Sequence, residues 1–290
     1  MIILKLFGGL GNQMFQYAFG KKMALLNNTT LKFDLSLFQE EISYRKYELN
    51  HFEIQPQIAT TQEIELLLSK EQSLFHKLKK KTFNAKSYYI HEDSLEFDKR
   101  NFHLKKDAYI DGYWQSENYF IDSALQIRKD FQFAEESDAS NLAFLSVIDS
   151  DNSISIHIRR GDYVQDDAIN QVHGTCSLSY YENAIQFMAG KISSPVFYIF
   201  SDDIMWTQQN LSIGYAHHFV DINNQSSAFK DMNLMSHCKH HIIANSSFSW
   251  WGAWLNPRED KIVIAPKKWF KNEELNSKTK NITPANWIKL

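Results

Sequence analysis

Residues 153–163 read SISIHIRRGDY. Ile154, Ile156 and Ile158 alternate with Ser155 and His157, the period of a β-strand. The alternation stops at Arg159, Arg160, Gly161 and Asp162. Ligands of open α/β sheets bind beyond the carboxyl ends of the strands, so a strand ending in two arginines predicts an anion site there. A guanidinium is always charged, and its planar fork matches phosphate oxygens. Gly161 permits a sharp turn or a close ligand. A surface pairing of these arginines with Asp162 and nearby acids would look the same locally and be worth little, so the rest of the chain must decide.

C-terminal to this stretch, strand-like segments at 196–200, 218–220, 241–244 and 261–264 alternate with helical ones near 179–188 and 226–238. That alternation predicts a parallel sheet with helices on both faces. Asp202 and Asp203 follow the strand at 196–200; they are ligand candidates or helix caps. In the 226–238 helix, Phe229, Met232, Met235 and Cys238 form an apolar stripe, with Asp231 beside it. A carboxylate there suits guanine, whose ring N–H and exocyclic amine it can accept together; helix-dipole stabilisation is the alternative. Asn245, Ser246, Ser247, Phe248 and Ser249 follow the strand at 241–244 and place N–H and O–H donors where a phosphate would sit. Trp250, Trp251 and Trp254 have helical spacing and read as packing. The segment 284–287 is expected to pack back on the body, with the last residues on the N-terminal domain.

Toward the N-terminus, residues 2–7 read as a strand. Gly8, Gly9, Leu10, Gly11, Asn12 and Gln13 follow, then an apolar helix. From Gly9 the pattern is G-x-G-x-x-M, so it lacks the third glycine of a dinucleotide fingerprint. It suits a ligand lying against bare backbone at a helix N-terminus, with Asn12 and Gln13 adding amide groups, or a plain tight turn. Strands are expected at 31–33, 87–90 and 108–114, and a helix over 118–133. The Lys77–Lys81 run reads as a solvated helix face, and residues 135–141 as an acidic linker. The reading therefore divides the chain into domains 1–145 and 146–290.

Two further patterns invite metal and are set aside. Asp149-Ser150-Asp151 is a D-x-D, but it precedes the strand, where a turn belongs. His237, Cys238, His240 and His241 match no zinc spacing. No metal site is expected.

The whole-chain numbers exclude other classes. At 290 residues with 43% apolar content, the chain can fill two cores. A net charge of −3 argues against a nucleic-acid binder, so an anionic ligand needs a local basic cluster. Two cysteines are too few for a disulfide framework and fit a reducing, cytoplasmic setting. No stretch is long enough to span a bilayer; peripheral membrane association stays open, as does the oligomeric state. A lectin would need no arginine pair, and a nicotinamide enzyme would keep its third glycine.

FGGLGNQMFQYA at 7–18, DGYWQSENYF at 111–120, HIRRGDYV at 157–164, NSSFSWWGAWL at 245–255 and APKKW at 265–269 together resemble the bacterial α-1,2-fucosyltransferases of glycosyltransferase family 11. The resemblance implies an α/β GT-B fold, two Rossmann-like domains facing across a cleft that closes on substrate. It implies an inverting, metal-free transfer of fucose from GDP-β-L-fucose to a galactose 2-hydroxyl in surface-glycan synthesis. By the same similarity Arg159, with Arg160, holds the donor diphosphate and His157 lies against the nucleotide. Asp231 reads guanine, and Ser246 and Ser247 fall where the family's nucleotide-binding serines fall; Asp203, Asn245, Phe248 and Ser249 join the donor-site candidates by their own place beyond strand ends. Gly9, Gly11, Asn12 and Gln13 face the sugar and acceptor from the other domain. Related enzymes place a carboxylate base just beyond the arginines, a neighbourhood that here holds Asp162, Asp166 and Asp167.

Overall fold

The computed structural model describes residues 1–39, 45–73, 77, 86–134 and 138–290, and the backbone alone at residue 162. Most of the lysine run and residues 135–137 of the expected linker lie outside the described residues. The chain forms two compact units, Met1–Gln132 with Lys280–Ile282, and Phe133–Thr279 with Thr283–Leu290.

The first unit contains β1 (Ile2–Lys5), α1 (Leu10–Leu26), β2 (Leu31–Asp34), α2 (Ser36–Gln39), α3 (Thr61–Gln72), β3 (Ser87–His91), β4 (Leu104–Asp111) and α4 (Ala124–Asp130). Its four strands are parallel, in the order β2-β1-β4-β3. The core is aromatic: the Phe19 ring lies 4.4 Å from Trp114, which meets Tyr119 edge-on at 5.5 Å. Such contacts add to the area these rings bury.

The second unit contains α5 (Ala139–Ser150), β5 (Asn152–Ile158), α6 (Gly161–Gln165), α7 (Asp167–Val172), α8 (Leu178–Ala189), β6 (Pro195–Ser201), α9 (Ile204–Asn210), β7 (Ala216–Phe219), α10 (Ala228–His237), β8 (His240–Ile242), α11 (Ser247–Leu255), β9 (Val263–Ala265), α12 (Glu273–Ser277) and β10 (Ile288–Lys289). Its sheet runs β10-β9-β8-β5-β6-β7, all parallel. From β5 the chain builds outward through β6 and β7, then returns to lay β8, β9 and β10 on the other side. The order reverses between β5 and β8, which is where a doubly wound sheet opens a crevice. Trp250, Trp251 and Trp254 are buried and pack on one another, with Trp287 5.4 Å from Trp250. The tryptophans are core, and residues 283–290 belong to the second unit, not to the N-terminal domain on which the last residues are expected; only Lys280–Ile282 join the first unit.

Three further expectations are corrected. The units part at 132/133 and not at 145/146, because α5 packs on the second unit: Phe144 meets Tyr198, and Asn141 hydrogen-bonds Asn223. The strand expected over 108–114 ends at Asp111. Trp114 has φ +59°, and the Tyr113 and Trp114 amides donate to the Glu92 carboxylate at 2.7 and 3.1 Å, fixing a turn there. The helix expected over 118–133 breaks into two short 3-10 turns before α4.

Burial pushes the Glu92 carboxyl up from 4.5 to about 7, against the two amides that pull it down. A folded-state acid with a raised pKa binds protons that the unfolded chain has released. Stability therefore falls as pH rises from about 4.5 to about 7. The linkage is worth roughly 3 kcal/mol across that window. Urea unfolding between pH 5 and 8 should show this decline in the wild type and a flatter profile in Glu92→Gln; identical profiles would remove Glu92 as its source.

Candidate active site

The turn after β5 is held by the turn after β6. Arg159 Nη1 lies 2.8 Å from Asp202 Oδ2, and the Arg160 amide donates to Asp202 Oδ1 at 2.7 Å. Arg160 Nε donates to Asp203 Oδ2 at 3.2 Å, and its guanidinium stacks 3.4 Å over the Trp206 ring. One strand end thus supplies two cations and its neighbour two anions, in parallel register with Ile158 opposite Ser201. Gly161 is required: a Cβ there would come 2.6 Å from Asp202 Oδ2. Arg159 also lies 5.4 Å from the Tyr163 ring, whose hydroxyl donates to the Asn245 carbonyl at 3.4 Å. The ends of β5, β6 and β8 are drawn together around the arginines, at the point where the strand order reverses.

His157 and Phe248 meet beside this cluster, with ring centroids 5.5 Å apart. His157 is buried, and its Nδ1 has no hydrogen-bond partner among the described residues. Burial, helped by the Arg159 charge, pushes its pKa down to about 3, so the ring is neutral at physiological pH. A buried polar atom without a partner costs free energy unless a ligand or water satisfies it.

The structure separates the candidates into groups. Ser246 caps α11 through the Phe248 amide, and the Ser249 hydroxyl turns inward to the Ser246 carbonyl. Ser247 is half-buried at the helix start. Asn245 is a structural tie: its amide donates to the carbonyls of His173, Gly174 and Trp269 at 3.1–3.2 Å. Asp203 is likewise committed, accepting from Arg160 and from the Trp206 amide that starts α9. Asp231 sits in another network, with Asn223 donating to it at 2.7 Å. Burial, with the nearby Asp221 charge, pushes its carboxyl up to about 6. Asp166 caps α7 through the Ala168 and Ile169 amides, while Asp167 is exposed in the first turn. The Asp162 side chain lies outside the described residues.

In the first unit, Gly9 opens α1, and Gly11 is buried in its first turn. Gln13 is corrected from ligand group to structural tie. It is fully buried, donates to the Gly8 and Lys46 carbonyls and accepts from the Glu48 amide, so no donor faces out. Asn12 accepts from Gln115 Nε2 at 2.8 Å, joining the glycine loop to the turn after β4. The rim of this sheet carries a charged cluster that no motif in the sequence marks. Lys5 Nζ lies 3.1 Å from Asp111 Oδ2, with Tyr89 and His91 around the same carboxylate. Their signal was positional: Lys5 and Asp111 are the last residues of adjacent strands.

Asp149 and Ser150 end α5, and Asp151 accepts from the Tyr198 hydroxyl at 2.6 Å, at the amino end of β5. His241 is saturated between Ser155 and Asn256. Among the described residues, no three His, Cys, Asp or Glu side chains group as metal ligands, and no helix is long and apolar enough to cross a membrane.

The model for Glycosyl transferase family 11 matches residues 1–290. The chain belongs to glycosyl transferase family 11. An Escherichia coli alpha-1,2-colitosyltransferase is 35% identical to this glycosyltransferase, over 100% of this chain and 99% of its own. The Escherichia coli O-antigen biosynthesis glycosyltransferase WbnK is 36% identical, over 98% of each. A structure of Arabidopsis thaliana FUT1, a mutant in complex with GDP, aligns with TM-score 0.54 and 10% identity, over 98% of this chain and 74% of that one. That likeness speaks for the fold, and the two parallel α/β units are of the GT-B class.

Asn245 fastens three backbone carbonyls from two loops, so removing its amide leaves buried acceptors unsatisfied. Asn245→Ala should lower the unfolding free energy of the glycosyltransferase by about 2–4 kcal/mol. A midpoint in urea unchanged from wild type would contradict this role.

Proposed function

We propose that this glycosyltransferase moves L-fucose, with inversion, from GDP-β-L-fucose to the 2-hydroxyl of a galactose-containing acceptor, in the synthesis of a bacterial surface glycan such as O-antigen. The observation that carries the reading is the arginine turn: fixed cations at the β5 end, on the β5/β8 reversal, in a chain of net charge −3. Departure of GDP leaves negative charge on the β-phosphate. Arg159 neutralises it, and the N–H and O–H groups at 246–249 add donors. Arg160, stacked on Trp206 and paired with Asp203, keeps the turn in place. Such preorganised charge is usually the largest single contribution to an enzyme's rate. The neutral His157, with a free ring nitrogen, packs against the nucleotide, and Asp231 accepts the two guanine donors.

In this reading the guanidinium does the work a divalent cation performs elsewhere, so no metal is needed and EDTA leaves the rate unchanged. The acceptor hydroxyl loses its proton to a carboxylate beyond the arginines. Asp166 is committed to its cap, leaving Asp162 and Asp167 as candidates. The first unit carries the acceptor. Its exposed Tyr113, edge-on to Phe7 at 4.8 Å, offers an aromatic face of the kind sugars stack on.

A second reading concerns the donor sugar alone. The full-length similarity to an alpha-1,2-colitosyltransferase favours GDP-colitose, which differs from GDP-fucose at the 3-position. A site built to hydrogen-bond that hydroxyl would reject the deoxy sugar strongly, so kcat/KM for the two donors side by side separates the readings.

Arg159→Ala should lower kcat by roughly 10²–10³ with either donor; near-normal turnover would refute its role. GDP affinity should weaken as pH falls through about 6, where Asp231 takes up a proton. Asp231→Asn should bind GDP weakly and show no such dependence in calorimetry between pH 5 and 8.

A further inference from the structure

Asp231 stands at one end of a hydrogen-bonded chain that begins on another helix. Asp138 caps α5, taking the Ser140 and Asn141 amides on Oδ1. The Asn141 side chain is buried, and its Nδ2 donates to the same Asp138 oxygen at 3.2 Å and to Asn223 Oδ1 at 3.0 Å. Asn223 Nδ2 donates back to Asn141 Oδ1 at 3.0 Å and onward to Asp231 Oδ1 at 2.7 Å. The two amides form a closed pair with a carboxylate at each end.

A side-chain amide has two N–H donors, and both asparagines use both of theirs here. An ionised carboxylate only accepts, so each asparagine must turn its Nδ2 toward its own carboxylate. Rotating either amide by half a turn would set oxygen against oxygen, so the orientation is fixed from both ends. Asn223 takes one lone pair of Asp231 Oδ1. That leaves Oδ2 and the second Oδ1 lone pair to accept from a ligand, on a residue that is half-buried and reachable.

We propose that Asn223 and Asn141 are positioning residues for nucleobase selection, which hold the Asp231 carboxylate in the one orientation where it can accept from the ring N–H and the exocyclic amine of guanine together. The proposal rests on the guanine reading of Asp231 given above, and adds that selectivity is set from the start of α5. Accepting both donors needs the carboxylate in the plane of the base. A carboxylate free to turn about its Cβ–Cγ bond keeps one contact and loses the pair.

The same amide favours the ionised carboxylate. Burial and the Asp221 charge raise the Asp231 carboxyl to about 6, and the Asn223 donor pulls against them. The other charges along α10 are Lys230 beside Asp231, Asp138 beyond the amide pair, and Asp149 with His237 at the far end of the helix. The residues of α11 and of the turn at 225–227, which also pack on α10, bear no ionisable side chain. Loss of the Asn223 amide therefore raises the pH at which GDP binding fades.

Calorimetric titration of the full chain with GDP and with inosine diphosphate, which lacks the exocyclic amine, tests this. The wild type should prefer GDP by at least about tenfold. Asn223→Ala and Asn141→Ala should each cut that preference to below about threefold, and Asn223→Ala should move the midpoint of GDP binding above pH 6. Both ligands are measured on the same variant, so a loss of stability alone leaves the ratio unchanged. In an Asp231→Asn background, Asn223→Ala should change the ratio no further. A ratio and midpoint unchanged in Asn223→Ala, with the preference still lost in Asp231→Asn, would overturn the positioning role. A further loss in the Asp231→Asn background would place the asparagine on some other contact and overturn it too. A wild type that binds both diphosphates equally would instead fail the guanine reading, and this proposal with it.

Discussion

Two arginines at the end of β5 face two aspartates at the end of β6, and this arrangement organises the second unit's ligand side. Parallel pairing puts both strand ends at the same level, so Arg159 meets Asp202 and Arg160 meets Asp203 without either chain bending to reach. The aspartates hold the guanidinium groups in fixed positions while leaving them partly exposed, about a quarter for Arg159. A cation already held in place does not reorganise when negative charge appears nearby, and that is the source of its catalytic worth. Gly161 is the covalent condition for it, because any side chain there would displace Asp202.

Around that centre the other groups fall into support and contact. Asn245 and Gln13 look in sequence like polar groups awaiting a ligand. Each instead saturates its side chain on backbone groups of neighbouring loops. His157 is the opposite case, a buried ring with an unsatisfied nitrogen beside Phe248. The distinction is one of hydrogen-bond supply: buried amides that find three carbonyl or amide partners are structural, and a buried ring nitrogen that finds none is open to a ligand.

Much of this was legible in the chain. The Ile154–Ile156–Ile158 alternation located β5, and the strand–helix alternation after it yielded the parallel sheet. The tryptophan spacing identified the core of α11. The Gly112–Trp114 turn was not legible, because it depends on Glu92, 21 and 22 residues before the two amides it accepts. The domain boundary is not legible because α5 begins with the small polar residues Ala139, Ser140 and Asn141, like a linker, and its packing on Tyr198 and Asn223 is a tertiary fact.

The central claim is that the guanidinium at 159 receives the charge of the departing diphosphate. A crystal structure of the glycosyltransferase with GDP bound tests it most directly. The account predicts Arg159 Nη atoms within hydrogen-bonding distance of a β-phosphate oxygen, with the His157 ring against the nucleotide. A diphosphate seated away from the β5 end, with Arg159 paired only to Asp202, would contradict it.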